Sequence, residues 1–153
     1  MRIIKFRGRS IEDNKIWYYG YYYVEAGKMP NPIRTPKSLP VDEGTHWIVF
    51  PSFADWDMPR EMQRVQVDPA TVGEFIGSLD KNGVEIYEGD IVYSECCSPD
   101  DPAYGHYGET YKVECDAPNG GFNLRDFDGI YTEIDYPEGL EVRGKIYENP
   151  DMI

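Results

Sequence analysis

The chain has 153 residues, enough for one domain or one domain with a small lobe, and a chain of this size hides roughly two-thirds of its unfolded surface. Its 15 Lys and Arg against 28 Asp and Glu give a formal charge of −13, which repels phosphate and disfavours duplex nucleic acid. The same charge suits plain solubility, a basic partner or imitation of nucleic acid. Three cysteines, two of them adjacent, make a poor disulfide framework. No run approaches the roughly 18 apolar residues of a membrane span, and residues 1–8 carry no apolar signal stretch. A cytoplasmic location without membrane association is the expectation.

Fifteen glycines and twelve prolines punctuate short runs rich in Tyr, Val and Ile, a pattern of strands and turns. Residues 3–6 read as a strand and 10–15 as its turn. Residues 16–24, Ile-Trp-Tyr-Tyr-Gly-Tyr-Tyr-Tyr-Val, are dense in the bulky side chains that strands favour. Successive side chains on a strand point to opposite faces, so consecutive aromatics imply that both faces are covered. The stretch 26–42 holds four prolines and reads as a loop. Residues 46–50 are a further strand ended by Pro51, 52–61 read as loop, and 64–67 as a short strand.

One helix is expected, near 69–76. Asp68 before Pro69 fits an N-cap with proline at the first position, and Thr71 with Glu74 fits a capping box one turn on. The two cannot both mark the start, and Gly77 fits the stop. Asn82-Gly83 then supplies a turn, and 84–93 gives two strand pieces hinged at Glu88-Gly89-Asp90. After a polar loop over 94–110, strands are expected at 111–115, 122–127, 130–136 and 141–147. About five short strands in the second half suit a small barrel.

Several clusters invite a chemical reading that their spacing does not sustain. Glu88 and Asp90 form an acid pair, but a Gly-Asp step entering an apolar strand is turn chemistry. Cys96, Cys97, His106 and Cys115 lack the two-to-four-residue spacing of a zinc site. Asp126-Phe-Asp128-Gly129 lacks the remaining ligands of a calcium loop and reads as a hairpin turn. Asp55-Trp56-Asp57 reads as a solvated loop. His46 and His106 stand outside any nucleophile motif, and no phosphate-cradling glycine motif occurs. No catalytic, cofactor or metal residue is therefore expected. The best candidate surface is the aromatic strand, through Trp17, Tyr19, Tyr21 and Tyr23. Exposed aromatics anchor protein interfaces or stack on single-stranded bases, and the absence of any cation inside the run favours a protein interface or core packing.

The block Gly77…Asp80-Lys-Asn-Gly83-Val-Glu-Ile-Tyr-Glu-Gly89-Asp90-Ile-Val92 resembles the central signature of YopX-like bacteriophage and prophage proteins. Ile4-Lys-Phe-Arg-Gly8 and Asn14…Trp17…Tyr19-Gly-Tyr21 are similar to the family's N-terminal strand pair, and 141–150 resembles its C-terminal signature. Where the family has Thr-Gly-Leu this chain has Ile76-Gly77-Ser78, with Leu79 one place later. The resemblance implies a mostly β fold with an SH3-like barrel, a phage origin and self-association, and it implies no known activity. The expectation is a β-rich region over 1–67 with a proline-rich loop, then a short helix and barrel over 68–153, in one continuous unit. Functionally the expectation is a non-enzymatic phage or prophage accessory protein, a homo-oligomer that binds a host or phage protein. The alternatives are a nucleic-acid-associated regulator, marked by a basic patch from Arg2, Lys5, Arg7 and Arg9, and an enzyme with an unrecognised carboxylate site.

Overall fold

The structure, a computed structural model, describes residues 3–13, 16–26, 44–52, 61–94, 108–116, 120–126, 128–134 and 137–152. Among these are eleven strands and three single 3-10 turns. The chain divides into two compact units, Lys5–Val72 and Gly73–Ile153 with Met1–Ile4.

The first unit is an antiparallel sheet of β1 (Phe6–Arg9), β2 (Trp17–Glu25), β3 (Thr45–Pro51) and β4 (Met62–Gln66), in the order β4-β3-β2-β1. Phe6 pairs with Gly20, Tyr22 with Ile48, and Ile48 with Val65, so these positions share one face. That face is the core side: Ile48 and Val67 are fully buried, and Phe6 lies against Tyr22, and Tyr18 against Phe50, with ring centroids 5.4 and 5.3 Å apart. Gly20 breaks the aromatic run for a steric reason, since a Cβ there would strike the Val49 carbonyl oxygen. The first strand starts later than the sequence reading of 3–6, which leaves Ile3 and Ile4 exposed ahead of it.

The expected helix near 69–76 is not formed. Asp68 does cap a turn, its Oδ1 accepting from Ala70 N at 3.0 Å with Pro69 in the first position. The turn is 3-10 and ends at Thr71, because Val72 is already extended at φ −71° and ψ 129°. From Gly73 the chain is strand β5 (Gly73–Leu79), paired with β6 (Glu85–Tyr87). A Cβ on Gly73 would strike the Glu88 carbonyl oxygen, and Gly77, at φ +95°, sits where the register slips between Phe75 and Leu79. A glycine inside the expected helix thus serves a close strand approach, and the one read as its stop serves a bulge.

The second unit continues with β7 (Asp90–Ser94), β8 (Glu109–Asp116), β9 (Gly121–Arg125), β10 (Tyr131–Glu133) and β11 (Leu140–Lys145), ordered β10-β9-β8-β7-β11. Ile86, Val92, Tyr111, Val113, Leu124 and Leu140 make its core, each worth about 1.5–3 kcal/mol of burial. The expected barrel is an open sheet instead, with β10 and β11 at its edges. The turn of the β5–β6 hairpin meets β11: Lys81 N donates to Leu140 O at 2.9 Å, and Val142 N donates to Asp80 Oδ2 at 2.9 Å. A turn takes backbone partners of β11 that a closing strand would have used.

That turn needs Gly83, at φ +79° with nothing within 4 Å of the Cβ site. The cost of a side chain there is conformational and not steric. Gly83→Ala is expected to destabilise by about 1 kcal/mol, read as a fall of about 3 °C in Tm. An unchanged melt would contradict the turn's role.

Candidate functional site: an aromatic sheet face

The register of the first unit sorts the aromatic run into two sets. Arg9 pairs with Trp17 and Arg7 with Tyr19. Tyr21 pairs with Val49 and Tyr23 with Trp47, and these pair onward with Arg64 and Gln66. All of these residues share the face opposite the core. Tyr21 is 64% exposed, Tyr19 41% and Tyr23 36%, whereas Trp17, Trp47 and Val49 are half-buried among them. The four aromatics singled out in the sequence are brought onto one face, and the alternate positions Tyr18, Gly20 and Tyr22 go to the other.

Cations from neighbouring strands stand over these rings. The Lys5 Nζ lies 5.8 Å from the Tyr19 centroid, Arg7 Cζ 5.2 Å from that of Trp17, and Arg64 Cζ 4.2 Å from that of Trp47. Arg7 is itself buried, whereas at an exposed site such as Arg64 a cation–π contact contributes about 0.5–1 kcal/mol. Arg64 also donates to the Tyr23 hydroxyl at 2.6 Å and lies 3.4 Å from Glu25 Oε2. The Tyr23 hydrogen bond raises the guanidinium further above its ordinary pKa.

The lack of a cation inside the run was therefore misleading, because the charges arrive across the sheet. The signal was present in the alternation Lys5, Arg7, Arg9, the period of one strand face. Arg64 was beyond reach without the register. The fourth member of that basic set, Arg2, lies outside the described residues.

The chain matches the family described as YopX protein over residues 5–153. It belongs to the YopX family. The chain is also similar to protein EF1440 from Enterococcus faecalis, known from a crystal structure, with TM-score 0.52, 20% identity and 99% of each chain covered. At that identity the likeness is one of fold. No curated protein matches the chain.

The central block that marks this YopX-family chain contains two buried carboxylates, and both act on backbone. Asp80, 5% exposed, accepts from Asn82 N at 2.8 Å and Val84 N at 2.9 Å through Oδ1, and from Val142 N through Oδ2. Burial pushes its pKa up, but these amides, Val142 foremost, outweigh that and hold it below the usual range. Asp90, fully buried, accepts from Tyr87 N at 2.8 Å. Gly89 N donates to Val113 O and Gly89 O accepts from Ile146 N. The acid pair of Glu88 and Asp90 is thus split: Asp90 organises the turn, and Glu88 N donates to Glu74 O.

The remaining candidates are dispersed. Asp126 closes a turn onto the residues after it, with Ile130 N donating to Asp126 Oδ1 at 2.8 Å and Gly129 N to Asp126 O. His46 Nδ1 meets the Tyr22 hydroxyl at 2.5 Å beside the core. Cys115 is exposed on β8. Cys96, Cys97, His106 and Asp55-Trp56-Asp57 lie outside the described residues. Among the described residues no group of three or more His, Cys, Asp or Glu is placed to hold a metal, and no helix is long and apolar enough to cross a membrane.

Asp80 gives a stability prediction with a definite sign. A carboxyl whose folded pKa is depressed contributes stability above its unfolded value, about 3.9, and loses it as pH falls through the folded value. Asp80→Asn is expected to cost about 2 kcal/mol at neutral pH, the scale of charge-assisted hydrogen bonds. It should also flatten the loss of stability that the wild type shows below about pH 4. Urea midpoints across that range measure both, and a variant that parallels the wild type throughout would refute the assignment.

Proposed function

We propose that this is a phage or prophage accessory protein of the bacterial cytoplasm that acts by self-assembly and protein binding, without catalysis. The carrying observation is the row Tyr19, Tyr21 and Tyr23, exposed side by side on a sheet face backed by a packed core. Contiguous apolar patches of this kind on folded proteins mark contact surfaces. Tyr and Trp are also the residues that dominate interface energetics. A second copy is the available cover.

The enzymatic alternative draws no support from the titrating groups. A general acid needs a raised carboxyl pKa, but Asp80, Glu114 and Glu141 are all held below the usual range. Burial opposes the shift at Glu114, where the hydrogen bond and charge of Lys112 and then Arg125 prevail; at Glu141 the Lys81 hydrogen bond leads.

Light scattering tests the reading. The wild type should exceed the 17.6 kDa of one chain, and Tyr19→Glu with Tyr21→Glu should return the mass to a monomer. A wild type that stays monomeric throughout the micromolar range would sink the proposal.

A further inference from the structure

The charge of the chain is divided unevenly between its units. Lys5–Val72 holds nine Lys or Arg against nine Asp or Glu, and Gly73–Ile153 with Met1–Ile4 holds six against nineteen. These counts add to the 15 and 28 of the whole, so the entire formal charge of −13 belongs to the second unit. The five described cations of that unit are already engaged: Lys81 and Arg143 with Glu141, Lys112 and Arg125 with Glu114, and Lys145 with Glu148. Asp128, Glu133, Glu138 and Asp151 add exposed carboxylates. The aromatic face of the first unit has the opposite balance, since Arg9 and Arg64, with Lys5 over Tyr19, stand there against Glu25, while Arg7 is itself buried.

Resting on the reading that copies meet through this face, we propose that they meet head to tail. The aromatic, cation-bearing face of one Lys5–Val72 unit docks on the carboxylate surface of the Gly73–Ile153 unit of the next copy. An isologous contact would set this face, where Arg9, Arg64 and Lys5 outnumber Glu25, against a copy of itself with the same excess of cations. A heterologous contact sets those cations against the opposite sign, the arrangement that gives an interface its register. The pairing chemistry already occurs inside the second unit. Tyr87 donates to Glu85 at 2.6 Å and Tyr131 to Glu114 at 3.2 Å, while the Arg125 guanidinium lies over the Tyr131 ring. Such a contact closes into a ring or grows as a filament.

A mixing experiment separates this arrangement from every competitor. A Tyr21→Glu chain has lost the docking face but keeps the carboxylate surface. In a head-to-tail assembly it is monomeric alone, yet when dye-labelled it sediments with wild-type complexes as their terminal copy. Arg64→Glu, changed at a side chain that is 51% exposed, should weaken wild-type association by about tenfold, and added salt should do so as well. Both variants should melt with the wild type, which shows that the fold is kept. Labelled Tyr21→Glu that never joins a wild-type oligomer means an isologous contact and overturns the head-to-tail proposal alone. A Tyr21→Glu chain that still self-associates places the contact elsewhere and overturns both readings. A monomeric wild type that instead captures a labelled single-stranded oligothymidine through this face also overturns both.

Discussion

The pleat of β2 is the constraint on which the rest of the first unit depends. Side chains alternate across a regular strand, so aromatics in consecutive positions cannot all enter one core. Tyr18 and Tyr22 take the core side with Phe6, Phe50 and Ile48. Gly20 lies between them because only a bare Cα fits beneath the Val49 carbonyl. Once that side is fixed, Tyr19, Tyr21 and Tyr23 are committed to the other, since a shift of one residue would empty the core. Their exposure follows from the packing of the opposite face. Arg64 then covers the ring surface of Trp47 while keeping its charge in water, whereas Arg7 is buried against Trp17.

The second unit solves a different problem. Its net charge of −13, from six cations and nineteen acids, imposes self-repulsion on a small core. Among the described residues two of those carboxylates are buried, and each is offset by backbone amides: three for Asp80 and at least that of Tyr87 for Asp90. Charge-assisted bonds of this sort are the strong ones. They fix the β5–β6 turn against β11 and the entry into β7, which gives the block 80–92 a structural reason for its residues. Asp128, Glu133, Glu138 and Asp151 instead stay in water at the surface.

Much of this was legible in the residues. The strand content, the Asn82-Gly83 turn, the hinge at Gly89 and the turn at Asp126 all follow from side-chain chemistry that acts within a few positions. What the sequence hid was non-local. Asp68-Pro69 starts a 3-10 turn and an α-helix with the same signals, and only the approach of Gly73 to Glu88 decides between them. Gly77 resembles a helix stop because positive φ serves a bulge equally well. The barrel count was reasonable, but strand number does not reveal that a turn occupies the closing edge. For the candidate face, alternation placed the tyrosines, whereas Arg64 and Trp47 required the register. The whole-chain charge concealed a neutral unit beside an acidic one, and with it the cationic character of the aromatic face.

The central claim is that the outward face of β2 is where copies of this chain meet. Hydroxyl-radical footprinting of Tyr21 as a function of protein concentration tests it at the residue concerned, since Tyr21 is 64% exposed in the single chain. The account predicts that Tyr21 is oxidised readily in nanomolar protein and becomes progressively protected through the micromolar range. Tyr22, on the core side of the same strand, should show no such change. A Tyr21 that remains equally reactive at concentrations where the protein is demonstrably oligomeric would contradict the account.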